Sequence, residues 1–280
     1  MLTEDSEWFA TGKANAQRIL DRQSDTNTAK NVILLVSDGN GIGTNYATRI
    51  FQGQQNGGFG DDHVLHYEAF PYLALVKTYN LNAQTPDSAP TAGAMNTGVK
   101  QRFETINVGA TAIAGDCTTQ AANELTKFAE IVAADGKAVG NLARTVQDGV
   151  AFADAVAMAD EMTNDEDTLI IVPADHDRAI SFNGYCGRGS PITGLCMKIS
   201  KEGLMNSDEP ALAADGLPYT VAGSLNGDGS VLCEDKNWAD VRPEVTTEEA
   251  MDIDYLQQAL IPRSSKTHSG VDVAVYAIGQ

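Results

Sequence analysis

The segment NVILLVSDG (31–39) carries five consecutive apolar residues and then breaks at a polar turn, and this pattern constrains the fold most. A strand with one face in water alternates apolar and polar residues. A continuous run has both faces buried, as in a parallel sheet covered by helices. TLIIVPADH (168–176) repeats the pattern. YLALVKTYN (72–80) and the near-alternating VDVAVYAIG (271–279) add two further strands. Helical patterns lie between them: an amphipathic segment at 6–22, a short helix at 88–98 with Pro90 early and Gly98 at its close, and longer helices at 118–135 and 145–162. Strands separated by such helices predict an α/β fold, a three-layer sandwich whose central, mostly parallel sheet is flanked by helices.

The 280 residues fit a single domain spanning 1–280. Two stretches read as less regular: a polar, Gly-rich loop at 53–63 and an insert at about 183–245 rich in Gly, Pro, Asn and Asp. One junction is abrupt. AVG (138–140) should open a strand, yet NLARTVQDG begins another helix at once, whereas a buried strand ordinarily runs ~5–6 residues.

Charge narrows the partners. With 38 Asp+Glu against 19 Lys+Arg the net charge is −19, which repels phosphate backbones and anionic lipid and so excludes a general nucleic-acid binder. No run approaches the ~18 apolar residues of a membrane span. The N-terminal segment is acidic and polar, unlike a signal peptide. The four cysteines form no CxxC pair, which argues against a zinc–thiolate site. Cys186 and Cys196 would close a short loop, and disulfide and free thiols both remain open.

Four segments could carry chemistry. Asp38 ends an apolar strand, at the edge where α/β sheets place ligands, although an Asp there also makes an ordinary turn. Ser88 opens a helix whose first N–H groups face anions, yet Asp87 or Ser88 would equally serve as a helix cap. Asp175 and His176 stand side by side at a strand end, as a metal site or as a simple salt-linked pair. His268 precedes the last strand, where a lone histidine is also commonly a surface residue. GNGIG is no dinucleotide fingerprint, and no GxSxG elbow supports a Ser–His–Asp hydrolase.

Together, VILLVSDGNGIG, TPDSAPTAGAMNTGVK, TLIIVPADHDRAISFNGY with RGSPITG, and THSGVDVAVYAIG resemble the alkaline phosphatase family, in the family's order. The resemblance implies an alkaline-phosphatase-like sandwich and hydrolysis of small phosphomonoesters through a phosphoserine at Ser88. It implies two zinc ions (Zn2+) and a magnesium ion (Mg2+). Asp38 would be shared between one zinc and the magnesium. Asp175 would be a metal ligand, His176 a zinc ligand beside Ser88, and His268 a ligand of the other zinc. It further implies a periplasmic or extracellular setting and allows a homodimer. Sulfatases and phosphodiesterases of the wider superfamily carry their nucleophiles in differently patterned segments.

The chain also departs from that pattern. Relatives carry a long segment between the counterparts of Gly140 and Asn141, and continue past the counterpart of Gln280. The missing segment supplies a Thr and a Glu to the magnesium, an Asp and a His to the second zinc, and a phosphate-clamping Arg. The expectation is therefore a truncated domain with an internal deletion at 140/141. His63, His66, Arg144 and Arg178 match none of the lost roles. The remaining ligands would complete one zinc site rather than two, and a catalytically impaired member of the family is the alternative reading.

Overall fold

In the structure, a computed structural model, β1 (Asn31–Leu34) is the first of the apolar runs to become a strand, preceded by helix α1 (Glu7–Leu20). The structure describes residues 7–21, 27–120, 123, 125, 141–200, 206–228 and 242–279. Helix α2 (Ile42–Gln55), strand β2 (Tyr72–Val76) and helix α3 (Ser88–Thr97) follow, then helix α4 (Leu142–Glu161) and strand β3 (Thr168–Pro173). Short strands come next: β4 (Asp177–Arg178), β5 (Ile180–Phe182), β6 (Met197–Ile199), β7 (Asn206–Pro210) and β8 (Ala222–Gly227). Helix α5 (Thr247–Met251) and strands β9 (Ala259–Pro262), β10 (His268–Ser269) and β11 (Val273–Ile278) complete the described chain.

The main sheet has the order β1-β3-β11-β2. Strands β1 and β3 pair in parallel, from Asn31 opposite Thr168 to Leu34 opposite Ile171. Strand β11 runs antiparallel to both β3 and β2. Strands β1, β2 and β3 therefore share one direction and β11 opposes them. One face of this sheet presents Ile33, Ile170, Val172, Tyr276 and Ile278 to α4 and to the 3-10 turn His66–Ala69. Ala153 and Val156 of α4 and Leu65, Tyr67 and Phe70 close that core.

Several boundaries differ from the sequence reading. Strand β1 stops at Leu34, and the expected strand 31–39 continues only as a single parallel bridge between Ser37 and Ala174. Strand β2 stops at Val76 rather than Asn80. Helix α4 begins at Leu142, capped by the Asn141 side chain, which accepts from the Arg144 amide. Helix α2 reaches into the first turn of the expected Gly-rich loop, and its buried face, Thr44, Asn45, Ala47, Thr48, Ile50 and Gly53, shows little apolar period. Small residues serve that contact: a Cβ on Gly149 of α4 would lie 2.3 Å from Thr48 Oγ1 of α2. Residues Cys117–Thr119 form a 3-10 turn, while the rest of the expected helix 118–135, the strand at 138–140 and the 140/141 junction lie outside the described residues, apart from Gln120, Asn123, Leu125 and Asn141.

The 183–245 stretch is more ordered than its composition suggests. Strands β5, β8 and β9 form one sheet and β6 with β7 a hairpin. A disulfide joins Cys186 and Cys196, which settles the choice left open by the spacing. Cys196 lies in a second core with Ala47, Ile50, Leu142, Val146, Ile192 and Val221, so the stretch packs on α2 and α4. Among the described residues no helix is long and apolar enough to cross a membrane.

Candidate active site

The sheet geometry decides where the four candidate segments meet. Strands β1, β2 and β3 point the same way, so the residues following each lie at one edge. Strand β11 is antiparallel, so the residues preceding it reach that same edge. Asp38 follows β1, Ser88 opens α3 after β2, Asp175 and His176 follow β3, and His268 precedes β11. The Ser37–Ala174 bridge sets the register that makes Asp38 and Asp175 neighbours. The Gly39 amide then donates to Asp175 Oδ1 at 2.9 Å. Gly39 has φ of 68°, a left-handed turn suited to glycine, and this turn brings its N–H to the carboxylate.

His176 is the centre of the cluster and its side chain is fully buried. Its Nδ1 lies 3.2 Å from the Asp177 carbonyl, which accepts the Nδ1 proton and leaves a lone pair on Nε2. Three oxygens face that lone pair: Ser88 Oγ at 2.7 Å, Asp175 Oδ2 at 3.2 Å and Asp38 Oδ1 at 3.5 Å. Ser88 is half-buried, and its hydroxyl donates to Nε2.

Electrostatics register this crowding. Burial, and next the charge of Asp38, push the Asp175 carboxyl up to about 7. Burial, and next His268, hold His176 down at about 3, so its ring is neutral. Burial raises Asp177 to about 6, and its Oδ1 has no hydrogen-bond partner among the described residues. An imidazole nitrogen and two carboxylate oxygens lie within 4.8 Å of one another. Such a set is satisfied by a cation, and its mixture of nitrogen and oxygen donors suits Zn2+.

His268 stands beside this cluster and not in it. Its ring stacks on that of His176 with centroids 3.5 Å apart and planes 16° apart. His268 Nδ1 donates to the Pro86 carbonyl at 2.9 Å, which leaves Nε2 for another partner. Arg178 is the residue that motif reasoning assigned no role. Its Nη2 donates to Asp38 Oδ1 at 2.9 Å and to the Asp38 carbonyl at 3.3 Å. His63 and His66 bond elsewhere, to Gln52 and Asp160, and Arg144 pairs with Asp254.

Helix α3 contributes a second feature. Its N-cap, Asp87, makes no side-chain capping bond, so neither capping role foreseen for Asp87 or Ser88 is used. Pro90 has no N–H, and the Thr91 amide bonds to the Asp87 carbonyl. The Ser88 and Ala89 amides, in the first turn, have no acceptor within the helix and are placed to bind an anion beside the Ser88 hydroxyl.

A family model described as "Alkaline phosphatase" matches residues 29–148 and 141–280. The two matches overlap at the start of α4. The tissue-nonspecific isozyme of alkaline phosphatase from Felis catus is 42% identical over 131 residues, 47% of this chain and 25% of that protein. The isozyme from Homo sapiens is 43% identical over 120 residues, 43% of this chain and 23% of that protein. The chain thus spans about a quarter of the length of the curated relatives it matches. Among solved structures, Thermus thermophilus alkaline phosphatase has a TM-score of 0.50 at 13% identity, covering 94% of this chain and 89% of that one, a likeness of fold.

Proposed function

Because the chain belongs to the alkaline phosphatase family, we propose that it hydrolyses small phosphomonoesters through a phosphoserine at Ser88. The observation that carries this reading is the convergence of the Ser88 hydroxyl and the Asp38, Asp175 and His176 cluster on one point at the sheet edge. Asp38, Asp175 and His176 would hold one Zn2+, with His268 beside them and Asp38 also the remaining candidate for Mg2+. When bound there, a divalent cation supplies Lewis acidity that lowers the pKa of the serine hydroxyl and offsets the charge of the phosphate dianion.

The rest follows from the chain's own groups. The Ser88 and Ala89 amides and the dipole of the ten-residue helix α3 orient the phosphoryl oxygens. Ser88 Oγ forms the bond to phosphorus, and the ester oxygen leaves and takes up a proton. Water then cleaves the Ser88 phosphoester, releasing inorganic phosphate and restoring the hydroxyl. His176, neutral and fixed through Nδ1, would give its Nε2 lone pair to the cation, and the Ser88 proton, held at Nε2 in the metal-free chain, would pass to solvent. The Cys186–Cys196 disulfide supports an oxidising compartment, periplasmic or extracellular.

A second reading, a family member that binds one zinc and phosphate with little turnover, is favoured by the donor count. Among the described residues the cluster contains three groups and excludes His268. One experiment separates the two. Zinc per chain is measured beside hydrolysis of an aryl phosphate at alkaline pH, for the wild type and Ser88→Ala. Bound zinc with Ser88-dependent turnover supports the enzyme. Bound zinc without turnover supports the impaired reading, and turnover unaffected by Ser88→Ala overturns the nucleophile.

A further inference from the structure

The cluster is already served by one fixed cation, Arg178. Its position is built into the backbone rather than adopted by a free side chain. Arg178 lies on β4, directly opposite His268 on β10. Its side chain is 16% exposed and runs across Gly39, where a Cβ would fall 2.4 Å from Arg178 Nε. Any residue other than glycine there would push the guanidinium off Asp38. The guanidinium grips Asp38 twice, at Oδ1 and at the carbonyl oxygen.

Asp38 is the carboxylate that matters for a second ion. Asp175 Oδ1 is committed to the amides of Gly39 and His176, and Asp175 Oδ2 faces His176 Nε2. Within the cluster, Asp38 alone could be shared between two ions, and the oxygen it turns toward His176 is the one bonded to Arg178. We infer that Arg178 takes the place of a second metal ion at Asp38, so that the site holds one divalent cation and the guanidinium supplies the remaining positive charge. This rests on the assignment of Asp38, Asp175 and His176 as cation ligands. With two carboxylates, one divalent ion and one guanidinium, the loaded site carries one net positive charge toward a phosphate dianion. Without Arg178 it is neutral.

The test is calorimetric titration of the metal-free chain with Zn2+, with bound zinc counted by atomic emission, for the wild type, Arg178→Lys, Arg178→Gln and Arg178→Met. The wild type and Arg178→Lys should bind one ion per chain. Arg178→Gln should bind the first ion at least about tenfold more tightly, because a cation close to the site no longer repels it. It should also take a second, weaker ion through the released Asp38 and the neighbouring His268. Arg178→Met has similar reach and no charge, and repeats the measurement should the glutamine variant not fold. Two tightly bound ions in the wild type, or neutral variants that match it in number and affinity, overturn the role of Arg178 while leaving the ligand assignment intact. No zinc bound by any of the four overturns both.

Discussion

Replacing Asp175 with Asn should stabilise the metal-free chain above neutral pH while abolishing cation binding. Asp175 is buried, faces Asp38, and titrates at about 7 rather than the ordinary 3.8. Between these values the folded state binds a proton that the unfolded state has lost, so stability falls as pH rises through the window. The full shift corresponds to a penalty of about 4 kcal/mol, absent below pH 4 and fully present above pH 7. His176 acts in the opposite direction. Held at about 3 by burial, it stays neutral while the unfolded ring gains a proton, so its contribution rises with pH up to its ordinary 6.5. The wild-type curve alone therefore mixes two opposed slopes, and the difference between wild type and Asp175→Asn isolates the carboxyl. Urea unfolding in chelator at pH 4, 6 and 8 measures it. The variant should gain on the wild type as pH rises, by several kcal/mol at pH 8, and added Zn2+ should reverse the order by stabilising only the wild type. A constant difference across pH, or equal stabilisation of both by Zn2+, would refute the reasoning.

Three further outcomes follow from particular contacts. Gly39→Ala places a Cβ against Arg178 at a left-handed φ, so it should cost about 1–2 kcal/mol in urea unfolding, with tighter Zn2+ binding besides as the guanidinium is displaced from Asp38. Unchanged zinc affinity would show that the turn does not shape the site. The Cys186–Cys196 bridge closes a loop of sequence separation 10, so its removal by Cys186→Ser with Cys196→Ala should cost about 2.5 kcal/mol. Calorimetry should place that loss at about 5–10 °C in Tm. Asn141→Ala removes the cap on the Arg144 amide, and a loss of about 1 kcal/mol in urea unfolding is expected.

The sequence carries the site further than the fold around it. Asp38 and Asp175 are legible because each ends an apolar run, and parallel strands put such ends at one edge. What it cannot supply is register, and the Ser37–Ala174 bridge is what makes the two carboxylates neighbours. His268 is legible as a motif residue, but its stacking on His176 depends on β11 running antiparallel, which brings the β10 segment back to the edge. Arg178 is not legible, since its partner is set by β4 pairing with β10 and by the glycine beneath it. Helix α2 escapes a periodicity reading because Thr, Asn, Ala and Gly form much of its buried face. The strands within 183–245 run three to six residues where described, and the three-residue β6 is too short to show alternation.

The central claim is that Ser88 accepts the phosphoryl group. Zinc-loaded chain is mixed with an aryl phosphate, quenched in acid to preserve a phosphoester, digested and mapped by mass spectrometry. The account predicts phosphate on the peptide containing Ser88 and none in Ser88→Ala. Aryl phosphate consumed by the zinc-loaded wild type with no phosphate on Ser88 at any quench time, or with the same turnover in Ser88→Ala, would contradict it.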